Sequence, residues 1–272
     1  MTAKILDKNT VDFPTTPIYP REQIERVQLE LLDMVTIVSG ILEKFDVPYT
    51  IAFGTLIGAV KFHGFLPWDD DIDLFLFEDS YDKAIQLLEN HLPPHLIVHS
   101  EKNDQKYFLG WNSVKNTNTT VEDNGIYNPD NRLLKFRCLG VDLYRLKHLP
   151  RSGIAEYRHE ETRNFFYRKF SMGIINAEFY NDSIHQLDNQ KLASGVSENN
   201  NDQDMVYYFI MKLKTHLLEK DLFPLKKYRF ENIELYGPNN TEGILDASFG
   251  EHENLPDYND RKPHLKKVIF EG

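Results

Sequence analysis

The chain has 272 residues, with 31 Lys and Arg against 42 Asp and Glu, so its formal net charge is −11. That length suits one large or two small domains, and 41% hydrophobic residues are enough to fill a core, which excludes a disordered or fibrous chain. The acidic balance argues against a protein that coats nucleic acid or anionic membrane over its whole surface, while leaving room for local basic sites.

Residues 1–19 read as an N-terminal extension, and Met1 to Thr10 lack the apolar stretch of a secretory signal. Pro20 then opens a segment in which Ile24, Val27, Leu31, Met34, Val35, Val38, Leu42 and Phe45 recur at three- and four-residue steps, which predicts a long amphipathic helix ending near Phe45. Val47 to Phe53 reads as a strand closed by Gly54, and Thr55 to Phe62 as a short helix. Ile72 to Phe77 is a second strand, followed by a helix that Ser80 is expected to cap. Leu96 to His99, Tyr107 to Val114 and Val141 to Leu146 are further strand candidates. This interleaving predicts a mixed α/β or α+β domain over residues 20–150.

Beyond Arg151 the character changes. Ile154 to Ile175 and Met205 to Leu218 look helical, and residues 151–222 are expected to form a helical region. Between those helices, the polar stretch from Asn181 to Asp204 reads as a mobile loop. Residues 223–272 look like short strands and turns that fold back on the first domain. No apolar run approaches the ~20 residues of a membrane helix.

The informative stretch runs from Gly54 to Leu74. No Lys or Arg occurs between Phe62 and Asp82, and seven of the fourteen residues from Asp69 to Asp82 are acidic. Carboxylates this dense repel one another unless something positive sits among them, and a divalent cation is the economical answer. On a strand, Asp71 and Asp73 project to one face while Ile72, Leu74 and Leu76 offer the other to a core. Two such carboxylates suit Mg²⁺, with Mn²⁺ as the alternative, and Asp69 continues the i, i+2 series as a further ligand.

A solvated acidic loop is the plain alternative. An EF-hand fails, since its sixth and twelfth positions fall on Leu74 and Ser80 instead of Gly and Glu. The Asp-x-Asp metal site of a glycosyltransferase is a closer rival, but here the apolar run follows the acids.

Gly54 and Thr55 stand where a strand enters a helix, a place where backbone N–H groups can approach a phosphate. Asp142, in Val141-Asp142-Leu143, alternates with apolar neighbours and supplies a third carboxylate. It is the one acid between Arg132 and Arg151, against six basic residues in that segment, a local excess suited to phosphate. The one cysteine, Cys138, lies in this segment and reads as a small buried residue that requires no oxidising compartment.

Gly54-Thr55-Leu56-Ile57-Gly58-Ala59-Val60, followed by Gly64-Phe65-Leu66-Pro67-Trp68-Asp69-Asp70-Asp71-Ile72-Asp73, resembles the signature of the LicD family of phosphotransferases, to which the fukutin-related proteins are distantly related. Val141-Asp142-Leu143-Tyr144 resembles its second aspartate strand. Leu222-Phe223-Pro224-Leu225, Phe249-Gly250-Glu251, Arg261 and His264 resemble its C-terminal block. The family's usual Arg-His-x-Gly stands here as Lys61-Phe62-His63-Gly64, which leaves His63 without an assigned role.

The resemblance implies an α+β fold with a nucleotidyltransferase-like mixed β-sheet core, flanking helices and a helical second half. It further implies transfer of a phosphorylated alcohol, foremost phosphocholine from CDP-choline, to a hydroxyl of a cell-envelope glycan of the teichoic acid, capsule or lipopolysaccharide type. CDP-ribitol or CDP-glycerol as donor, nucleotidyl transfer, and an inactive nucleotide- or glycan-binding relative are the alternatives. The site it implies has Asp71, Asp73 and Asp142 as catalytic and metal residues. Gly54, Thr55, Lys61, Trp68, Arg145, Arg261 and His264 are the expected substrate contacts. The expected setting is cytoplasmic, with no nucleic acid. A lipid-linked acceptor would bring the chain to the inner leaflet through Lys212, Lys214, Lys226 and Lys227.

Overall fold

The computed structural model describes residues 5–123, 129–193, 205–208, 216–250 and 254–271. Helix α1 (Arg21–Lys44) buries Ile24, Val27, Leu31, Met34, Val35, Val38 and Leu42, the stripe that the periodicity predicts, and Pro20 is its N-cap. There follow β1 (Tyr49–Ile51), α2 (Phe53–Phe62), β2 (Ile72–Phe77), α3 (Glu78–His91), β3 (Leu96–His99), β4 (Asn112–Asn116), β5 (Thr119–Asp123) and β6 (Gly140–Pro150). The second half contains α4 (Ile154–Ser171), α5 (Ala177–Ala193), β7 (Met205–Tyr208), β8 (Leu217–Leu218), α6 (Glu219–Leu222), β9 (Lys226–Phe230), β10 (Ile233–Gly237), α7 (Thr241–Phe249) and β11 (Leu265–Phe270).

The main sheet runs β1-β2-β6-β4-β3, with β7 continuing from the far end of β6 and β8 beside it. β2 and β6 are parallel, whereas the other pairs of this sheet are antiparallel. All six residues of β2 are buried, as befits a strand covered on both faces. α1 and α3 pack on each other and against the sheet. The fold class is therefore α+β with a mixed sheet, as expected. β11 pairs with β5, which brings the end of the chain back beside the sheet.

Four expectations are corrected. Helix α3 starts at Glu78 with Phe77 as its N-cap, and Ser80 lies inside its first turn, where its hydroxyl donates to the Phe77 carbonyl. The strand expected over Tyr107 to Val114 begins only at Asn112; Tyr107 and Phe108 are buried in the irregular stretch before it.

Residues 181–193 continue α5 instead of forming a loop, and 194–204 lie outside the described residues. The helix is held by tertiary contacts to α4: Phe170 stacks on Tyr180 at 4.9 Å, and His159 and Arg163 both reach Asp188. Such contacts override a polar composition. Met205 to Leu218 forms two strands, β7 and β8, in place of a helix, and 209–215 lie outside the described residues. A short apolar run does not distinguish helix from strand until a partner edge is known, and here that edge is β6.

Candidate active site

The parallel register of β2 and β6 sets Asp73 directly opposite Asp142. Paired residues on adjacent strands share a face, so both carboxylates project from the same side of the sheet. Thr55, buried at the start of α2, accepts a 3.0 Å hydrogen bond from the Asp73 backbone N–H through its hydroxyl oxygen. That bond locks α2 onto β2. The Asp73 carboxyl is pushed well above the usual range by burial first, then by the charges of Asp71, Asp142 and Asp69.

The acids before β2 are held by the segment that precedes them. The Gln28 side-chain amide, reaching from α1, donates to the carbonyls of Leu66 and Asp69 at 3.0 and 2.9 Å. Asp69 is buried, and its Oδ2 has no hydrogen-bond partner among the described residues. Burial and the Asp71 charge push its carboxyl well up. Gly54 makes room for this carboxylate, since a Cβ at position 54 would lie 2.6 Å from Asp69 Oδ2. Beside it Phe53 occupies the left-handed region at φ 43°.

Asp70 accepts the backbone N–H groups of His264 and Leu265 at 2.8 and 3.0 Å, anchoring the start of β11. Burial raises its carboxyl to about 6, against the lowering pull of His264. His264 Nδ1 lies 2.7 Å from Asp71 Oδ2. Burial disfavours the charged ring, but the charge and hydrogen bond of Asp71, with the charges of Asp70 and Asp69, push it up to about 12. The group is therefore an imidazolium at neutral pH. Desolvation pushes Asp71 up, but the charge and hydrogen bond of His264, with Asp69 and the charge of Lys115, leave the carboxyl below its usual range. A positive group does sit among the acids, and it comes from the far end of the chain.

Asp142 receives the Ser113 hydroxyl on Oδ1 at 2.6 Å and the Tyr144 hydroxyl on Oδ2 at 3.4 Å, with Lys115 Nζ 3.9 Å from Oδ1. Burial, followed by the charges of Asp142, Asp73 and Asp71, pushes the Tyr144 phenol well up, so it remains a donor. These groups line a cavity of about 2190 Å³ that also takes in Gly54, Lys61, Trp68, Arg145 and His264.

Not every expected contact faces it equally. Trp68 is buried against Phe13, with the Arg261 guanidinium 5.8 Å from its ring centroid. Arg261 does not line the cavity; it donates to the carbonyls of Pro256 and Asp12 and braces Trp68. Arg145 lines the cavity but is paired with Asp82 at 2.8 Å and lies over the Tyr81 ring. Of the lysines expected at a membrane, Lys227 is paired with Glu43 and Lys226 donates to the Asn239 carbonyl, while Lys212 and Lys214 lie outside the described residues. No helix among the described residues is long and apolar enough to cross a membrane.

Sequence reasoning gave no role to Ser113, Lys115 or Tyr144. Tyr144 had a local signal, two places beyond Asp142 on the same strand face. Ser113 and Lys115 carried none, because their place depends on β4 pairing with β6.

The donor chemistry here is that of a hard cation: oxygen ligands, an orphaned buried carboxylate oxygen at Asp69, and carboxyls of Asp69 and Asp73 raised by burial and then by neighbouring negative charge. The side chains as they stand do not form a preassembled group of three or more His, Cys, Asp or Glu around one point among the described residues. The residues fit a cation in chemistry, with Asp71 turned to His264.

Residues 46–137 match the nucleotidyltransferase domain described as LicD/FKTN/FKRP. The chain is similar to the lipopolysaccharide cholinephosphotransferase LicD of Haemophilus influenzae, 37% identical over 60 residues that make up 22% of this chain and 23% of that protein. It is also similar to an uncharacterized protein of Rickettsia typhi, 22% identical over 84% of this chain and 48% of that protein. An uncharacterized protein of Rickettsia prowazekii is 23% identical over 82% of this chain and 55% of its own length. The chain thus spans about half, or less, of the length of the curated relatives it matches. The matched stretch, residues 46–137, contains Gly54, Thr55 and the acidic strand β2, and over it the chain is similar to the LicD/FKTN/FKRP nucleotidyltransferase domain.

Proposed function

We propose that this chain transfers a phosphorylated alcohol, foremost phosphocholine from CDP-choline, to a hydroxyl of a cell-envelope glycan. The observation that carries the reading is the pairing of Asp73 with Asp142 on adjacent parallel strands, beside the buried carboxylate of Asp69, in a cavity large enough for donor and acceptor together. The domain family and the likeness to a cholinephosphotransferase support the reaction class.

In this reading the acceptor hydroxyl oxygen bonds to the phosphorus that carries the alcohol. The bond from that phosphorus to the bridging oxygen breaks, and CMP leaves with the electron pair. Asp142 orients the hydroxyl and takes its proton, with Ser113 and Tyr144 fixing the carboxylate. Asp71, Asp73 and Asp142 would hold Mg²⁺, with Asp69 adjacent. When bound, that ion supplies neutralisation of the diphosphate charge. Gly54, in the first turn of α2, lines the cavity, and a helix N-terminus there suits a donor phosphate. The charge and hydrogen bond of His264 favour the ionised form of Asp71.

The test is to incubate the chain with CDP-choline, Mg²⁺ and envelope glycan and to follow CMP release with the mass of the product. A glycan heavier by phosphocholine supports the reading. An acceptor carrying the nucleotide instead marks nucleotidyl transfer, and activity that survives Asp73→Ala or EDTA overturns the assigned roles. Replacing the donor by CDP-ribitol or CDP-glycerol separates the headgroups. The expected setting is the cytoplasm, at the membrane face when the acceptor is lipid-linked.

A further inference from the structure

Lys115 is a cavity cation with no place in the sequence reading. It lies on β4 two residues beyond Ser113, so the two side chains project from the same face of the strand. The antiparallel pairing of β4 with β6 sets Ser113 opposite Asp142 and Lys115 opposite Gly140. The Lys115 side chain runs directly over Gly140: a Cβ at position 140 would meet Nζ at 2.4 Å, Cδ at 2.8 Å and Cε at 3.0 Å. Glycine there opens the path along which the lysine crosses the sheet toward the carboxylates.

Its ammonium stops 3.9 Å from Asp142 Oδ1, an ion-pair distance too long for a hydrogen bond. Ser113 already donates to that oxygen at 2.6 Å. Among the described residues nothing accepts a hydrogen bond from Nζ, although the side chain is only 19% exposed. An ammonium carries three donors, and here they are left for water or a ligand. The side chain lines the cavity, and its charge also reaches Asp71. A counter-ion serving Asp142 alone would close to hydrogen-bond distance; this one stops short of it, on the wall of the cavity.

We propose that Lys115 is a catalytic residue whose ammonium contacts a non-bridging phosphate oxygen of the diphosphate donor, and that Gly140 exists to let it lie there. The proposal rests on the phosphotransfer reading above. No bond is made or broken at Nζ and no proton leaves it. As the bond between the transferred phosphorus and the bridging oxygen breaks, the departing nucleoside monophosphate gains negative charge, which the ammonium offsets at a fixed position.

The test is calorimetric titration of inorganic pyrophosphate with Mg²⁺ into the unaltered chain and into Lys115→Met, Lys115→Arg and Gly140→Ala, with thermal unfolding of each variant without ligand. Gly140→Ala leaves Lys115 in the sequence but drives its flexible end away, so the two changes probe one contact by independent routes. Lys115→Met and Gly140→Ala are each expected to weaken binding by at least about tenfold, with little further loss when combined, and Lys115→Arg to retain most of it. In turnover of CDP-choline, both are expected to lower kcat as well as raise KM. Unchanged pyrophosphate affinity in Lys115→Met, with only a lower melting temperature, overturns the assignment and leaves the phosphotransfer reading standing. Failure of the unaltered chain both to bind pyrophosphate and to release CMP overturns that reading, and the role of Lys115 with it.

Discussion

His264 Nδ1 and Asp71 Oδ2 lie 2.7 Å apart although 193 positions separate them in the chain. With Asp70 accepting the backbone N–H groups of residues 264 and 265, this contact ties the first residues of β11 to the acidic turn before β2. The C-terminal segment thereby supplies the positive charge that the acidic cluster requires. Where β11 returns to the sheet, it brings its positive group to the acids.

This arrangement gives a pH dependence whose sign can be worked out. His264 is raised from 6.5 to about 12, so its contribution is fully present below pH 6.5 and is lost as pH rises toward 12. Asp70 is raised from 3.8 to about 6, so its burial destabilises fully above pH 6 and is relieved as pH falls toward 3.8. Both slopes run the same way. The melting temperature without metal should fall as pH rises from 5 to 10, and Mg²⁺ at neutral pH should restore part of it. A melting temperature that rises across that range, measured by calorimetry, would contradict the buried charges assigned here.

Asp70→Asn should act on the fold more than on the chemistry. The amide keeps one acceptor oxygen where the carboxylate has two, so one of the two backbone N–H groups at the head of β11 loses its partner. The orphaned N–H is expected to cost about 1–3 kcal/mol, offset in part above pH 6 by loss of the buried charge. Hydrogen exchange should show residues 264 and 265 opening before the rest of β11, and uniform protection across that strand would refute the anchoring role.

Two glycines of the Gly54–Val60 stretch should respond differently to alanine. At Gly58 a Cβ would lie 2.3 Å from the Gly64 carbonyl oxygen and 3.0 Å from the Leu66 nitrogen, both backbone, so relief requires the turn to move. Gly58→Ala should lower stability by several kcal/mol or abolish soluble expression. At Gly54 the obstacle is the Asp69 carboxylate, a side chain that can shift. Gly54→Ala should fold and lose most of its turnover. Equal melting temperatures for the two variants would rule out this distinction.

Thr55→Val keeps the shape of the side chain and removes the acceptor for the Asp73 N–H. The orphaned, buried donor should cost about 1–3 kcal/mol in denaturant unfolding. Thr55→Ser should recover most of that loss. If valine is tolerated without cost, the hydroxyl is not what fixes Asp73.

The residues of the acidic turn and the two aspartate strands were legible because their signals are local. Asp73 alternates with Ile72 and Leu74, Asp142 with Val141 and Leu143, and the stripe of α1 declares itself at helical spacing. The segment from Asn181 was misread because its helix depends on contacts with α4, and Met205 to Leu218 because its strands depend on the edge of β6.

What the sequence determined alone is the supply of carboxylates and the strands that carry them, since side-chain alternation and charge density are properties of neighbouring residues. The tertiary structure decided what balances those charges. His264 reaches Asp71 through the return of β11, and Lys115 reaches toward Asp142 through the pairing of β4 with β6 and the bare backbone of Gly140. Coulomb energy depends on distance in space, and distances between residues far apart in the chain exist only once the sheet has formed.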